Sequence, residues 1–250
     1  MGTFGLQLYS VREAAADNLV ETISLAADMG YQGIQFAGFF QTPAKKLKRL
    51  MDDKRIDAAG SHTGLDELVG DKLKETMAYN QEIGNSLLIC PWLPEKDRKT
   101  KEDYQRTAEK LNEIGQRCKD NGMTFAYHNH HFEFETFGGE TGFDLLFGQT
   151  DPEFVQIELD CFWATYAGYE PTDIINKYGN RIVSLHIKDM KEENEKKRSI
   201  EIGSGILDLK TLLRVGKEHD VEWFIVEQED FNGNPLESAR VNIDNLNKIF

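Results

Sequence analysis

Four short apolar runs in the second half of the chain each close on a side chain able to hold a metal ion. They read Phe125-Ala126-Tyr127-His128, Ile157-Glu158-Leu159-Asp160, Val183-Ser184-Leu185-His186 and Ile225-Val226-Glu227. Buried carboxylates and imidazoles must be paired or bound to a metal, because isolated charge in a low-dielectric interior is costly. Two acids and two imidazoles converging on one rim form a mixed nitrogen and oxygen site. Such a set suits a divalent cation such as Mn or Mg, with Zn or Co admitted by the imidazoles. His128, Asp160, His186 and Glu227 are therefore the expected ligands.

Other residues near these run ends extend the chemistry. The segment His128-Asn129-His130-His131-Phe132-Glu133-Phe134-Glu135 is the densest run of ligand-type side chains, and alternation puts His130 on the same face as His128. Glu133 lies beyond the strand end and is expected to fold back over the site and touch substrate. Glu158 precedes Asp160 by two and faces the same way, one layer deeper. A buried carboxyl there predicts a raised pKa and general acid or base work. Lys188 follows His186 by two, so an ammonium also points inward, where it could polarise an oxygen or move a proton. His62 closes an earlier run and is expected to hold a substrate hydroxyl or phosphate. Tyr9, Phe36, Trp92 and Trp163 are expected to give the mouth an aromatic lining suited to sugar faces.

These groups need a scaffold that brings several strand ends together. Eight apolar runs of strand length alternate with helix-length segments along the whole chain. The first four runs are Phe4–Tyr9, Gly33–Ala37, Ile56–His62 and Ser86–Cys90. Asn18–Met29 has an apolar face and stops at Gly30, the position of a C-terminal glycine cap. Thr42-Pro43 is expected to open the second helix, with Thr42 as its cap. The last helix is expected over Pro235–Phe250, and the polar stretch Lys191–Arg198 as a loop. Eight β/α units with no insertion large enough for a second domain predict one closed (β/α)8 TIM barrel over residues 1–250. A doubly wound open sheet fits less well, because Tyr9-Ser10-Val11-Arg12-Glu13 lacks the glycine-rich turn expected after its first strand. In a barrel, chemistry sits at the C-terminal ends of the strands, where the run ends above converge.

Composition narrows the partners. The 250 residues carry 43 acids and 29 bases, a net charge of −14 with His neutral. That argues against nucleic acid, whose binding relies on Lys and Arg neutralising phosphates. No apolar stretch approaches a membrane span. Met1–Ser10 lacks a basic-then-apolar leader, and Cys90, Cys118 and Cys161 form no CxxC pair. Both features predict a cytoplasmic protein with reduced thiols. A leader removed beforehand would leave no trace in such a reading.

With these motifs the sequence resembles the xylose-isomerase-like TIM-barrel superfamily, in particular its sugar phosphate isomerase/epimerase group. The most telling pieces are Tyr127-His128-Asn129-His130, Glu158-Leu159-Asp160-Cys161-Phe162-Trp163, His186-Ile187-Lys188-Asp189 and Ile225-Val226-Glu227. The resemblance spans essentially the whole chain. It implies one divalent ion held by residues of the last four strands, matched here by Asp160, His186 and Glu227. His128 stands where many members carry a glutamate that is both ligand and acid/base group, and Trp163 stands where many carry a histidine. The implied activity is isomerisation or epimerisation of a keto-sugar through an enediolate. Proton removal would fall to Glu227, Glu158, His128 or His130, and Lys188 would help the cation stabilise the enediolate. Loss of a β-substituent from a 3-keto sugar or glycoside is the alternative, because it shares that intermediate. A repair-type phosphodiesterase and a non-catalytic sugar-binding barrel are the remaining readings. The partner is a small carbohydrate, and a homo-oligomer is implied by the resemblance alone.

Overall fold

Strands β1 (Thr3–Gln7), β2 (Gly33–Phe36), β3 (Asp57–His62), β4 (Leu87–Cys90), β5 (Thr124–His128), β6 (Gln156–Asp160), β7 (Ile182–Ile187) and β8 (Trp223–Val226) close into one parallel barrel in chain order, with β8 pairing β1. The structure is a computed structural model that describes residues 3–194 and 196–249. Met1, Gly2, Glu195 and Phe250 lie outside the described residues, including the expected last residue of the final helix. Among the described residues no helix is long and apolar enough to cross a membrane. The three cysteines are free and buried.

The helices sit outside this cylinder and pack on the apolar residues that the strands turn outward. They are α1 (Arg12–Met29), α2 (Ala44–Lys54), α3 (Gly70–Ile83), α4 (Lys101–Asp120), α5 (Gly142–Gln149), α6 (Cys161–Tyr166), α7 (Pro171–Tyr178), α8 (Leu209–Glu218) and α9 (Pro235–Ile249). Local signals explain most of their ends. Helix α1 breaks at Asn18, whose side chain accepts the Glu21 N–H, so the helix expected from Asn18 is its second part. Gly30 closes it in the left-handed conformation at φ 103°. Thr100 and Asp103 form a capping box at the start of α4.

Two expectations are corrected. Thr42 makes no cap, because the chain enters α2 through Pro43 itself, which lacks a side-chain acceptor. The stretch Lys191–Arg198 is not a loop: Asp189–Glu193 and Lys196–Ile200 pair as an antiparallel hairpin, with Lys191 opposite Arg198. A helical segment also follows β6 at once, because Asp160 caps α6 by accepting the Trp163 N–H at 2.8 Å.

The barrel interior is layered, and the layers decide where polar groups go. At the N-terminal end Trp223 fills the axis against Ala59 and Ile225. Gly33 makes room for it, since a Cβ there would stand 2.3 Å from the indole. Leu87, Ile89, Ala126 and Val183 pack above. The next inward positions are Gln7, Gln35, Glu158 and Ser184, all buried. Gly33→Ala should therefore cost about 1–3 kcal/mol of stability, the usual range for overpacking. Urea unfolding checks this, and a midpoint equal to that of the parent would show that Trp223 relocates freely.

Candidate active site

Period-two alternation carries the inner row of each strand up to the C-terminal rim. On β8 the row runs Trp223, Ile225, Glu227, and on β6 it runs Glu158, Asp160. The four expected ligands meet. His128, Asp160, His186 and Glu227 each offer an atom within 4.8 Å of the others, and all four are buried. His186 Nδ1 is 3.0 Å from Glu227 Oε2 and 3.9 Å from Asp160 Oδ2, while His128 Nε2 is 3.7 Å from Asp160 Oδ2.

This set fits a divalent ion. Asp160 spends Oδ1 on its cap, and its buried Oδ2 has no hydrogen-bond partner. Lys188 Nζ lies 2.9 Å from that oxygen at ion-pair distance, without hydrogen-bond geometry, so the contact is electrostatic only. Lys188 also donates to Glu227 Oε2 at 2.8 Å and Glu229 Oε1 at 2.7 Å. One ammonium faces the carboxylates Asp160, Glu227 and Glu229, with Glu158 close by, and a divalent ion would offset part of the negative charge that remains.

The electrostatics follow from burial and from these partners. Burial disfavours the charge on His186, but Glu158 and Glu227 outweigh it and raise its pKa to about 10. Burial likewise opposes the charge on Lys188, yet its carboxylate partners hold it well above the ordinary lysine value. Burial would raise Glu227, but Lys188 and His186 keep it well below the usual carboxylate range. For His128, burial and the neighbouring His186 favour the neutral ring.

Glu158 differs from expectation. Its pKa is not raised but lowered well below the ordinary value, because the imidazoles of His186, His62 and His128 outweigh the burial that would raise it. His62 Nε2 stands 2.7 Å from Oε1, with His128 Nδ1 and His186 Nε2 each at 3.0 Å. Oε2 accepts from the Gln35 amide and, at 2.6 Å, from the Ser184 hydroxyl. A carboxylate with four hydrogen-bond partners and a third imidazole at ion-pair distance is a poor proton acceptor.

A cavity of about 330 Å³ opens over the ligands, with His62, His128, His130 and Glu227 on its wall. Tyr9 and Trp92 flank its mouth and remain 47% and 48% exposed. Three other expected contacts are corrected. Phe36 points outward from β2 and is buried against Phe39, because Gln35 holds the inward position. Glu133 is tucked back beneath the site, where it meets the Tyr127 hydroxyl and accepts the His130 N–H at 2.7 Å; burial raises its pKa to about 8. Trp163 lies one turn into α6 and packs beside His130 and His131 rather than on the cavity wall. Lys188 does point inward, but it is buried behind Glu227 and Glu229 instead of facing the cavity. Gln35 and Glu229 were missed. Each continues an inward row already visible, two residues after Gly33 and two after Glu227.

The chain is a parallel eight-stranded barrel with a buried His, Asp and Glu cluster at its C-terminal rim that could hold a metal ion. The chain belongs to the xylose isomerase-like TIM barrel family, whose model matches residues 23–249. It is 30% identical over 256 residues to an inosose dehydratase of Clostridium beijerinckii, covering 88% of this chain and 85% of that protein. It is 27% identical over 267 residues to an inosose dehydratase of Clostridium tetani, covering 91% and 88%. A crystal structure of a sugar phosphate isomerase/epimerase from Parabacteroides distasonis superposes with a TM-score of 0.86 at 23% identity, covering 99% of this chain and 98% of that one.

Proposed function

We propose that the protein is a divalent-metal-dependent lyase that removes water or an alcohol β to the carbonyl of an uncharged cyclic sugar ketone or keto-glycoside. One observation carries this reading. His62 stands on the cavity wall beside the cation ligands, with its Nε2 held 2.7 Å from the Glu158 carboxylate. When bound, the ion would polarise the carbonyl and so acidify the C–H on the carbon next to it. His62 takes the proton from that carbon, and Glu158 beside its Nε2 stabilises the imidazolium formed. The same ring returns the proton to the departing oxygen as the carbon–oxygen bond breaks and the double bond forms. One acid/base group therefore completes an elimination.

The isomerase or epimerase outcome fits less well. Epimerisation needs a second acid/base group on the far face of the substrate, and Glu158, one of the four groups expected to move the proton, is saturated by four hydrogen-bond partners and the His186 ring. The curated relatives named as dehydratases support elimination as well. His130 is better suited to binding than to catalysis. Burial pushes its pKa down to about 2, so the ring on the cavity wall stays neutral.

Among the described residues the wall carries Glu227 and Glu229 and no Lys or Arg, and Lys188 is already engaged with three carboxylates. A phosphate would meet negative charge, whereas a sugar ring can stack on Tyr9 and Trp92. The test is to offer keto-inositols, 3-keto-glucosides and their phosphates to protein loaded with Mn, Co, Mg or Zn. The expected product is lighter by one water or alcohol, and phosphorylated substrates should react at least about tenfold more slowly. A product of unchanged mass carrying solvent deuterium would instead establish an isomerase or epimerase.

A further inference from the structure

We propose that Glu158 is the positioning residue that makes His128 and His186 competent cation ligands, by keeping the proton of each ring on the nitrogen turned away from Asp160 and Glu227. The inference rests on the metal site of the preceding section. A neutral imidazole has one N–H and one lone pair, and only the lone pair can bind a metal. The site works only if both lone pairs face the two carboxylates.

The geometry selects that arrangement for His128, and for His186 once an ion displaces the proton that Nδ1 otherwise shares with Glu227 Oε2 at 3.0 Å. An ionised carboxylate can only accept, so each nitrogen against Glu158 Oε1 must carry its hydrogen. Those nitrogens are His128 Nδ1 at 3.0 Å and His186 Nε2 at 3.0 Å. His186 Nε2 meets a second acceptor, Gln35 Oε1, at 2.7 Å. The orientation of Gln35 is fixed in turn, because its amide nitrogen must face Glu158 Oε2. Gln7 Nε2 then donates to the same Gln35 Oε1 at 2.6 Å, which leaves that oxygen purely an acceptor. The opposite nitrogens, His128 Nε2 and His186 Nδ1, are those facing Asp160 Oδ2 and Glu227 Oε2.

The backbone explains why one carboxylate serves both rings. His128 on β5 is the direct register partner of Glu158 on β6, while β7 brings His186 beside Asp160. Carboxylates behind metal-bound histidines fix the tautomer and ring orientation and raise ligand basicity. Here a single oxygen does so for two ligand rings and also holds His62. An apolar side chain of similar size would fill the same layer without selecting a tautomer.

The experiment compares wild type, Glu158→Gln and Asp160→Asn by Co(II) titration, read by calorimetry and by the visible spectrum of the bound ion. Imidazole tautomers of the Zn-loaded proteins are read by long-range nitrogen–proton NMR. In wild type, one ion should bind, with His128 protonated on Nδ1 and His186 on Nε2. Glu158→Gln should keep a stoichiometry of one but lose about 10–100-fold in affinity. His128 should lose its single tautomer, since the amide can present an N–H to Nδ1. Unchanged affinity and tautomers in Glu158→Gln, with binding lost in Asp160→Asn, would overturn the inference and leave the metal site standing. No binding by wild type would overturn both. If Glu158→Gln fails to fold, the wild-type tautomers decide: a proton on His128 Nε2 or His186 Nδ1 overturns the inference.

Discussion

Asp160→Asn and His186→Ala should each abolish metal retention and turnover together while the barrel stays folded. Asn keeps the oxygen that caps α6 through the Trp163 N–H, so the local backbone has no reason to move. What it loses is the charge on the oxygen that lacks a hydrogen-bond partner and faces both imidazoles. Affinity should fall by more than the roughly 100-fold that outer partners of a metal site can cost. The parent protein has a second signature. His186 titrates near 10 without the ion, so at neutral pH both its nitrogens are protonated. The ion and that proton compete for Nδ1. Binding therefore releases a proton, and affinity rises with pH up to about 10 and falls below it. Calorimetry in buffers of different ionisation enthalpy measures the proton released, and equilibrium dialysis measures retention in the variants. Ions held equally by both variants would move the reactive centre elsewhere.

The convergence behind that prediction was legible because it depends only on alternation and strand order. His128, Asp160, His186 and Glu227 each end an apolar run, and a closed barrel brings such ends together. The same alternation contained the error over Phe36: with Gly33 and Gln35 inward, Phe36 had to face the helices. It also contained Gln35 and Glu229, which were passed over because neither ends a run. Other features were not readable in this way. Glu158 could be placed in the interior from its spacing, but the sign of its pKa shift comes from His62, His128 and His186 on three other strands. Local sequence shows the burial that raises a carboxyl and hides the distant partners that lower it. Glu133 and Trp163 failed for a different reason. Each lies in a helical turn that starts just past a strand end, so strand alternation no longer gives its direction.

His62→Gln should leave the metal in place and slow turnover by about 10²–10⁴-fold, the usual contribution of a positioned acid/base group. His62 is outside the four-ligand set, so its loss removes none of that donor set. It stacks on His186 with ring centroids 5.4 Å apart, and glutamine retains enough bulk to limit collapse of that packing. The deficit should fall on kcat rather than KM, because the wall keeps Tyr9, Trp92 and His130 for the sugar. Deuterium exchange gives a sharper reading than rate alone. If His62 removes the proton next to the carbonyl, the variant should also lose exchange of that position with D2O, even where no product forms. Exchange that persists while elimination stops would assign proton removal to another group, such as a carboxylate of the wall, and leave His62 to protonate the departing oxygen. Exchange and turnover both within a few-fold of the parent would reduce His62 to a substrate contact, and the one-group elimination would then fail.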